Sequence, residues 1–268
     1  MNDTLKKVAK TGYAAKGTVY GIAGVLTFMA AFNMGGQKTS KLQVLEFLDK
    51  QPFGNVLLIL MALGLVCYSA WRFIQSLKDP ENIGDDKKGK VKRFAYFISA
   101  LIYLALAVLA FLRGVDKNTP GSGGSGQSQQ SDFLATDKGL IVLGIIGAAF
   151  IISGIYKFIK LKDGKFLEKF DLKSMSEEKR RKTIKNSGYI GIASRGVVFL
   201  IIGFFAVKAA LNSNPSQMKT TGEVFAFLQD ASYGPWLLGL VAAGFIGYAI
   251  FMFMTAKYRT FRGSTKLF

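Results

Sequence analysis

Apolar positions along the chain gather into six blocks, at 13–33, 55–77, 94–114, 139–160, 189–211 and 235–257. Clusters of charged and turn-forming residues separate them. An α-helix rises about 1.5 Å per residue, so a block of about twenty residues crosses about 30 Å of hydrocarbon. Six such runs exceed what a soluble core of this size needs. The pattern predicts an all-α integral membrane protein with six transmembrane helices.

The segments between the blocks carry signals of their own. Ser40-Lys41-Leu42-Gln43 and Thr220-Thr221-Gly222-Glu223 read as capping boxes, in which hydroxyl and N3 side chain satisfy each other's orphan amides. Each opens a short apolar-faced segment, ending at Leu48 and Leu228, expected to lie on the outer membrane surface. Between the third and fourth blocks stands a Gly/Ser-rich stretch at 121–131, the composition of a flexible linker. In the loop before the fifth block, Phe166, Leu167 and Phe170 alternate with Lys165 and Lys169, a pattern suited to an anionic lipid surface. Ser174 with Glu177 suggests a further helix start there.

The blocks repeat. Sliding 11–33 onto 190–212 brings Gly12 onto Gly191, Lys16-Gly17 onto Arg195-Gly196, Gly24 onto Gly203 and Asn33 onto Asn212. One residue further in offset, Val44, Phe47, Gly54, Gly64, Tyr68 and Phe73 meet identical residues between Val224 and Phe253. Shared hydrophobicity does not align glycines and tyrosines; duplication does. A weaker middle copy keeps Tyr103 in the Tyr20 position but has Ser99 in place of the cation. The chain therefore divides into 1–80, 87–164 and 165–268, each with one two-helix hairpin. An even number of spans per copy makes the repeats parallel, and the simplest arrangement is a ring with pseudo-threefold symmetry. Recurrence of the first block near the C-terminus removes a signal-peptide reading of the N-terminus.

Net charge is +18 and sets topology. With alternating sides, the face carrying both termini holds 27 of the 35 Lys and Arg and 10 of the 17 Asp and Glu, a net +17; the other face holds 8 and 7, a net +1. Positive charge stays on the cytoplasmic side during insertion, so both termini are expected in the cytoplasm. The basic loops carry no nucleic-acid reading motif, and no nucleic-acid partner is expected. Anionic lipid headgroups are the expected partners, with a protein partner or a second copy of the chain beside them. Cys67 is the one cysteine, and histidine is absent. Zinc, haem and Ser-His-Asp chemistry are thus excluded, and no cofactor is expected.

Gly12-Tyr13-Ala14-Ala15-Lys16-Gly17-Thr18-Val19-Tyr20 and Gly191-Ile192-Ala193-Ser194-Arg195-Gly196-Val197-Val198-Phe199 resemble the hairpin-opening signature of the bacterial membrane family called domain of unknown function 1206. Gly54, Gly64 and Tyr68-Ser69-Ala70-Trp71-Arg72 resemble its second-helix signature. The resemblance covers essentially the whole chain and departs at Lys16, where arginine is usual. It implies a six-span protein of the bacterial inner membrane and supplies no activity.

Small residues on one helix face let backbones approach in lipid, and Gly17, Gly21, Gly24, Gly196 and Gly203 read as packing positions. Tyr68 and Tyr248 are equivalent, and packing against a neighbouring helix is the favoured reading for both. Trp71, Trp236 and Tyr258 read as interfacial belt residues. The sharpest signal is Lys16 with Arg195, equivalent cations about one turn inside their apolar blocks. Charges within a span are functional candidates by default. Near an interface they also snorkel to lipid phosphates, and anchoring is the favoured expectation. No Asp or Glu lies within the six blocks, which disfavours proton or sodium coupling.

Two functional readings stand. The leading one is a noncatalytic scaffold, partner-binding or lipid-binding unit of the membrane. The other is a small transporter or channel along the inter-repeat axis, with Lys16 and Arg195 guarding a mouth that favours anions.

Overall fold

The computed structural model describes residues 2–115, 136–172, 175 and 177–261. The Gly/Ser-rich stretch, Ser174 with its capping box, and residues 262–268 lie outside them. Helices run α1 (Asp3–Ala31), α2 (Lys41–Asp49), α3 (Gly54–Leu77), α4 (Lys87–Val115), α5 (Asp137–Lys162), α6 (Glu178–Leu211), α7 (Thr221–Gln229) and α8 (Gly234–Tyr258), with a 3-10 turn at Pro215–Gln217. Six of them, α1, α3, α4, α5, α6 and α8, are long and apolar enough to cross a membrane.

Two helices begin well before their apolar blocks. Asn2 caps α1, its side chain accepting the Thr4 amide, and Lys6 pairs with Asp3 at 2.9 Å. Basic residues are good helix formers, so charge does not stop the helix where hydropathy falls. Lys16 consequently lies midway along α1, and Arg195 midway along α6.

Six crossings put the start of α1 and the end of α8 on one face, the terminal face; α2 and α7 mark the other, the hairpin face. Helix α1 packs between α3 and α8, and α6 between α8 and α5, while α4 leans on α3. Among the described residues α4 and α5 make no extensive contact with each other. The two middle spans thus each lie against a flanking hairpin, and both leave rows of apolar side chains outward, such as Ile98, Ile102, Ile141, Ile145 and Ile152. In lipid such a face carries no penalty.

Glycine sets the closest crossings. A Cβ at Gly12 would collide with the backbone of Tyr68, and one at Gly191 with the backbone of Tyr248. Gly24 and Gly203 are nearly as tight, with a Cβ falling 2.8 Å from the amide nitrogens of Ile246 and Ile151. Gly21 is looser, 3.5 Å from Ala249 Cβ; Gly17 faces Ala249 O at 3.3 Å, and Gly196 lies under the Phe158 ring at 2.8 Å.

Both capping boxes form. Ser40 N donates to Gln43 Oε1 at 2.7 Å, and Thr220 N to Glu223 Oε2 at 2.6 Å. The apolar faces of their helices pack on the protein instead of on lipid. Val44, Leu45, Val224 and Phe225 are fully buried. The chain turns back after α1 through Asn33 and Gly35, both at positive φ, and the Thr39 amide donates to Thr27 Oγ1 at 3.1 Å. Thr27 lies a turn below the end of α1, so α2 starts inside the bundle. Its apolar face finds protein to bury against, which satisfies it as lipid would.

The loop before α6 departs from expectation for the same reason. Phe166 and Phe170 are buried against Tyr189 and Phe251, not laid on a surface. Trp71 is also interior, its Nε1 donating to Tyr13 Oη at 3.0 Å, whereas Trp236 is exposed.

Candidate functional site: a cation and tyrosine chamber

Lys16 is 4% exposed, and its ammonium donates to Tyr68 Oη at 2.7 Å. The same ammonium lies 4.6 Å from the centre of the Tyr68 ring, 5.0 Å from that of Tyr103 and 5.7 Å from that of Tyr248. Arg195 approaches from α6, its guanidinium carbon 4.3 Å from the Tyr248 ring and 5.0 Å from the Tyr20 ring. Tyr20 meets Tyr248 edge to face at 4.8 Å, and Tyr68 meets Tyr103 at 4.6 Å. The expectation that these cations point outward to lipid headgroups is therefore not met. Both heads turn inward onto one group of tyrosines, because the helices extend well past the apolar blocks and leave the cations at mid-helix.

Two further cations complete the chamber. Arg72, one turn beyond Tyr68 on α3, donates to Tyr68 Oη from Nε at 2.8 Å and from a terminal nitrogen at 2.6 Å, and to Gln75 Oε1 at 2.9 Å. Lys41, the first residue of α2, lies 5.1 Å from the Tyr103 ring and 5.6 Å from the Tyr20 ring. Four cations thus surround four tyrosines. Among the described residues no ion pair joins any of the four to a carboxylate.

Ring faces attract cations, by roughly 0.5–2 kcal/mol per pair, but they do not neutralise them. Lys16 is buried and Lys41, Arg72 and Arg195 are half-buried, and gathering like charges partly out of water without a counter-charge is costly. The chamber also keeps unused hydrogen-bonding capacity: among the described residues, Arg195 Nε is buried without a partner. A cavity of about 220 Å³ reaches Arg195 from the N-terminal turns of α2 and α7, lined by Tyr20, Ser40, Lys41, Thr220 and Thr221 among others. Helix N-termini add partial positive charge at that end. Chemically, the arrangement is suited to receiving an anion. No group of His, Cys, Asp and Glu able to hold a metal ion occurs among the described residues.

Of the residues singled out in the sequence, the fold brings together Lys16, Arg195, Tyr68 and Tyr248. Gly17, Gly24 and Gly196 lie at helix contacts around them. Missed were Tyr20, Lys41, Arg72 and Tyr103 as members of one site. Arg72 and Tyr20 stood within the signature segments, and Tyr103 marked the degenerate copy. Lys41 carried no signal, because a helix expected on the surface gives no reason to look inside.

Fold and site together define a polytopic α-helical membrane protein with inward-turned cations around a cluster of buried tyrosines. The chain belongs to the family described as Domain of Unknown Function (DUF1206), whose model matches residues 11–79 and 190–259, the segments of α1 to α3 and α6 to α8. It is similar to Uncharacterized protein YxxB of Bacillus subtilis (strain 168), with 31% identity over 258 residues, covering 95% of this chain and 91% of that one. No solved structure matches it.

Proposed function

We propose that this protein binds a small anion in the chamber and carries it across a bacterial inner membrane, with the terminal face in the cytoplasm. One observation carries the reading: Lys16, Arg72, Arg195 and Lys41 converge on four tyrosines, and among the described residues no carboxylate pairs with any of them. A structural anchor needs no such convergence, and a scaffold gains nothing from it. The net +17 of the terminal face supports the orientation. The cavity, at about 220 Å³, falls below the usual 300–1,000 Å³ of drug-sized sites, which favours a small inorganic or carboxylate anion.

Tyr20, Tyr103 and Phe245 fill the space around the cations and make an open pore a poor description. A carrier that closes around its ligand fits better. The test is isothermal titration of the purified protein with chloride, sulfate, inorganic phosphate and acetate, followed by uptake of the tightest binder into proteoliposomes. Saturable binding that Arg195→Gln weakens supports the reading. Absence of binding by all four anions at millimolar concentration overturns it.

A further inference from the structure

A second group of cations lies between the chamber and the terminal face, and here a carboxylate does occupy it. Glu81 sits in the short loop between α3 and α4. Asp79 shapes that loop by accepting the amides of Ile83 at 2.8 Å and Gly84 at 2.9 Å, with Asp79, Asn82 and Gly84 at positive φ. The turn presents Glu81 inward. Its carboxylate receives Lys169 Nζ at 3.1 Å, the Arg259 guanidinium, and the Gln75 side-chain amide. Lys169 and Arg259 are held side by side because the backbone carbonyl of Lys169 accepts the Thr260 amide at 3.0 Å.

The site has more donor capacity than one carboxylate uses. Arg259 is 8% exposed, and its Nε is buried without a partner among the described residues. Two cations share a single negative charge, and Arg72 stands behind them through Gln75. Burial alone raises the Glu81 carboxyl, but the Lys169 and Arg259 charges override it and hold the group at about 2. The excess at this site is positive.

The two groups are joined without a break. Lys16 donates to Tyr68 Oη, Arg72 donates to the same oxygen and to Gln75, and Gln75 donates to Glu81. One turn along α1 from Lys16, Tyr13 Oη accepts from Arg259 and Trp71. An anion leaving the chamber toward the terminal face meets Arg72 next, and then the cations that Glu81 now holds.

We propose that Lys169, Arg259 and Gln75 form a second anion site, filled in this structure by the protein's own Glu81 carboxylate, which a small oxyanion or carboxylate displaces. Glu81 is a tethered stand-in for the ligand, and while it is seated the terminal end of the path is closed. This rests on the anion reading of the chamber for its role in transport, but the site itself is tested separately. A carboxylate on a surface loop exchanges for a free anion of like charge with little net change in pairing, which makes displacement cheap. By contrast, emptying a buried cation pair altogether is costly.

The experiment removes the tethered carboxylate and returns one in solution. Full-length Glu81→Ala in detergent is unfolded thermally with sodium acetate, with acetamide, and with neither, at constant ionic strength. Acetate is expected to raise the Tm of Glu81→Ala saturably, by about 5 °C, while the wild-type protein responds little. Acetamide, equal in shape but neutral, is expected to do nothing. Equal rescue by acetamide, or no rescue by acetate, overturns the proposal. Should Glu81→Ala fail to fold, Glu81→Gln keeps the loop's shape and leaves the cations uncompensated. It is expected to bind sulfate by titration calorimetry at least about tenfold more tightly than the wild-type protein, in which the anion must displace Glu81, and equal affinity overturns the proposal. If acetate rescues Glu81→Ala while Arg195→Gln leaves anion binding unchanged, the second site stands and the reading of the chamber falls.

Discussion

The Tyr68 hydroxyl is the meeting point of two helices' charges: Lys16 reaches it from α1 at 2.7 Å, and Arg72 reaches it from its own helix with two nitrogens. Removing that oxygen leaves buried Lys16 and half-buried Arg72 each short of an acceptor. Hydrogen bonds to charged groups contribute about 1.5–3 kcal/mol, and buried donors left unpaired cost a similar amount. Tyr68→Phe is therefore expected to lower stability by about 2 kcal/mol or more. Among the described residues Tyr248 accepts no such bond and meets Lys16 and Arg195 through its ring, so Tyr248→Phe should lose much less. A loss below about 1 kcal/mol in Tyr68→Phe, measured by thermal unfolding in detergent, would show that the hydroxyl is unimportant.

The glycines rank by what their missing Cβ would touch. At Gly12 and Gly191 the obstacle is the backbone of Tyr68 and Tyr248, which no rotamer change can move. At Gly21 the nearest atom is a methyl in ordinary contact at 3.5 Å. Gly12→Ala and Gly191→Ala should each cost about 2 kcal/mol or more, as overpacking does, while Gly21→Ala should be close to neutral. Cosubstitution at Gly12 and Gly191 should leave little folded protein, judged by monodispersity on size exclusion.

The six spans were legible because a membrane demands long apolar runs and tolerates little else. Cations at matched positions also pointed to Lys16 and Arg195. Their orientation was not legible, because hydropathy marks where lipid contact ends and not where the helix begins. α1 continues ten residues beyond its apolar block, and that shift turns a shallow anchor into a central charge. The burial of α2 escaped notice for a related reason. An apolar helix face reads identically whether lipid or protein covers it, and only the return of Thr39 to Thr27 decides the matter. Glu81 was hidden most completely: an acid in a polar loop looks solvated until Lys169 and Arg259, far away in sequence, are seen to enclose it.

Glu81 also gives the protein an acid limit. Its folded-state value of about 2 lies below the ordinary 4.3 of an unfolded glutamate. Between those values the unfolded chain binds the extra proton, so stability rises with pH there. The contribution, about 3 kcal/mol at 1.36 kcal/mol per pH unit, is fully present above about pH 4.3 and fades as pH falls toward 2. The stability difference between the wild-type protein and Glu81→Gln should accordingly shrink as pH is lowered from 6 to 3. A difference that stays constant over that range assigns the acid sensitivity to other groups.

The proposed orientation rests on the charge split and is checked directly. A reporter active only in the cytoplasm, fused after Phe268, should be active, and a periplasmic reporter at the same place should be silent. The opposite result would put the +17 face outside and reverse the direction of every step proposed for the anion.

Arg195 and Lys16 should fail in different ways, because they stand at different distances from the cavity. Arg195 lines it and has an unused Nε; Lys16 lies deeper, bonded to Tyr68 beneath the ring of Tyr103. An anion entering between α2 and α7 meets Lys41 and Arg195 first. Arg195→Gln removes a charge-assisted donor from the binding step, a loss of about 1.5–3 kcal/mol, which corresponds to roughly tenfold to hundredfold in Kd. Lys16→Gln leaves the entrance intact. Its expected effect is on transfer toward the second site, where the fixed charge draws the ligand past the tyrosines. Affinity from the hairpin side should then change less than about threefold, while proteoliposome uptake falls by at least tenfold. Paired titration and uptake on both variants separate the cases. If Lys16→Gln loses affinity as steeply as Arg195→Gln, the two cations form one site instead of two successive stations, and the order of passage argued from their positions is wrong.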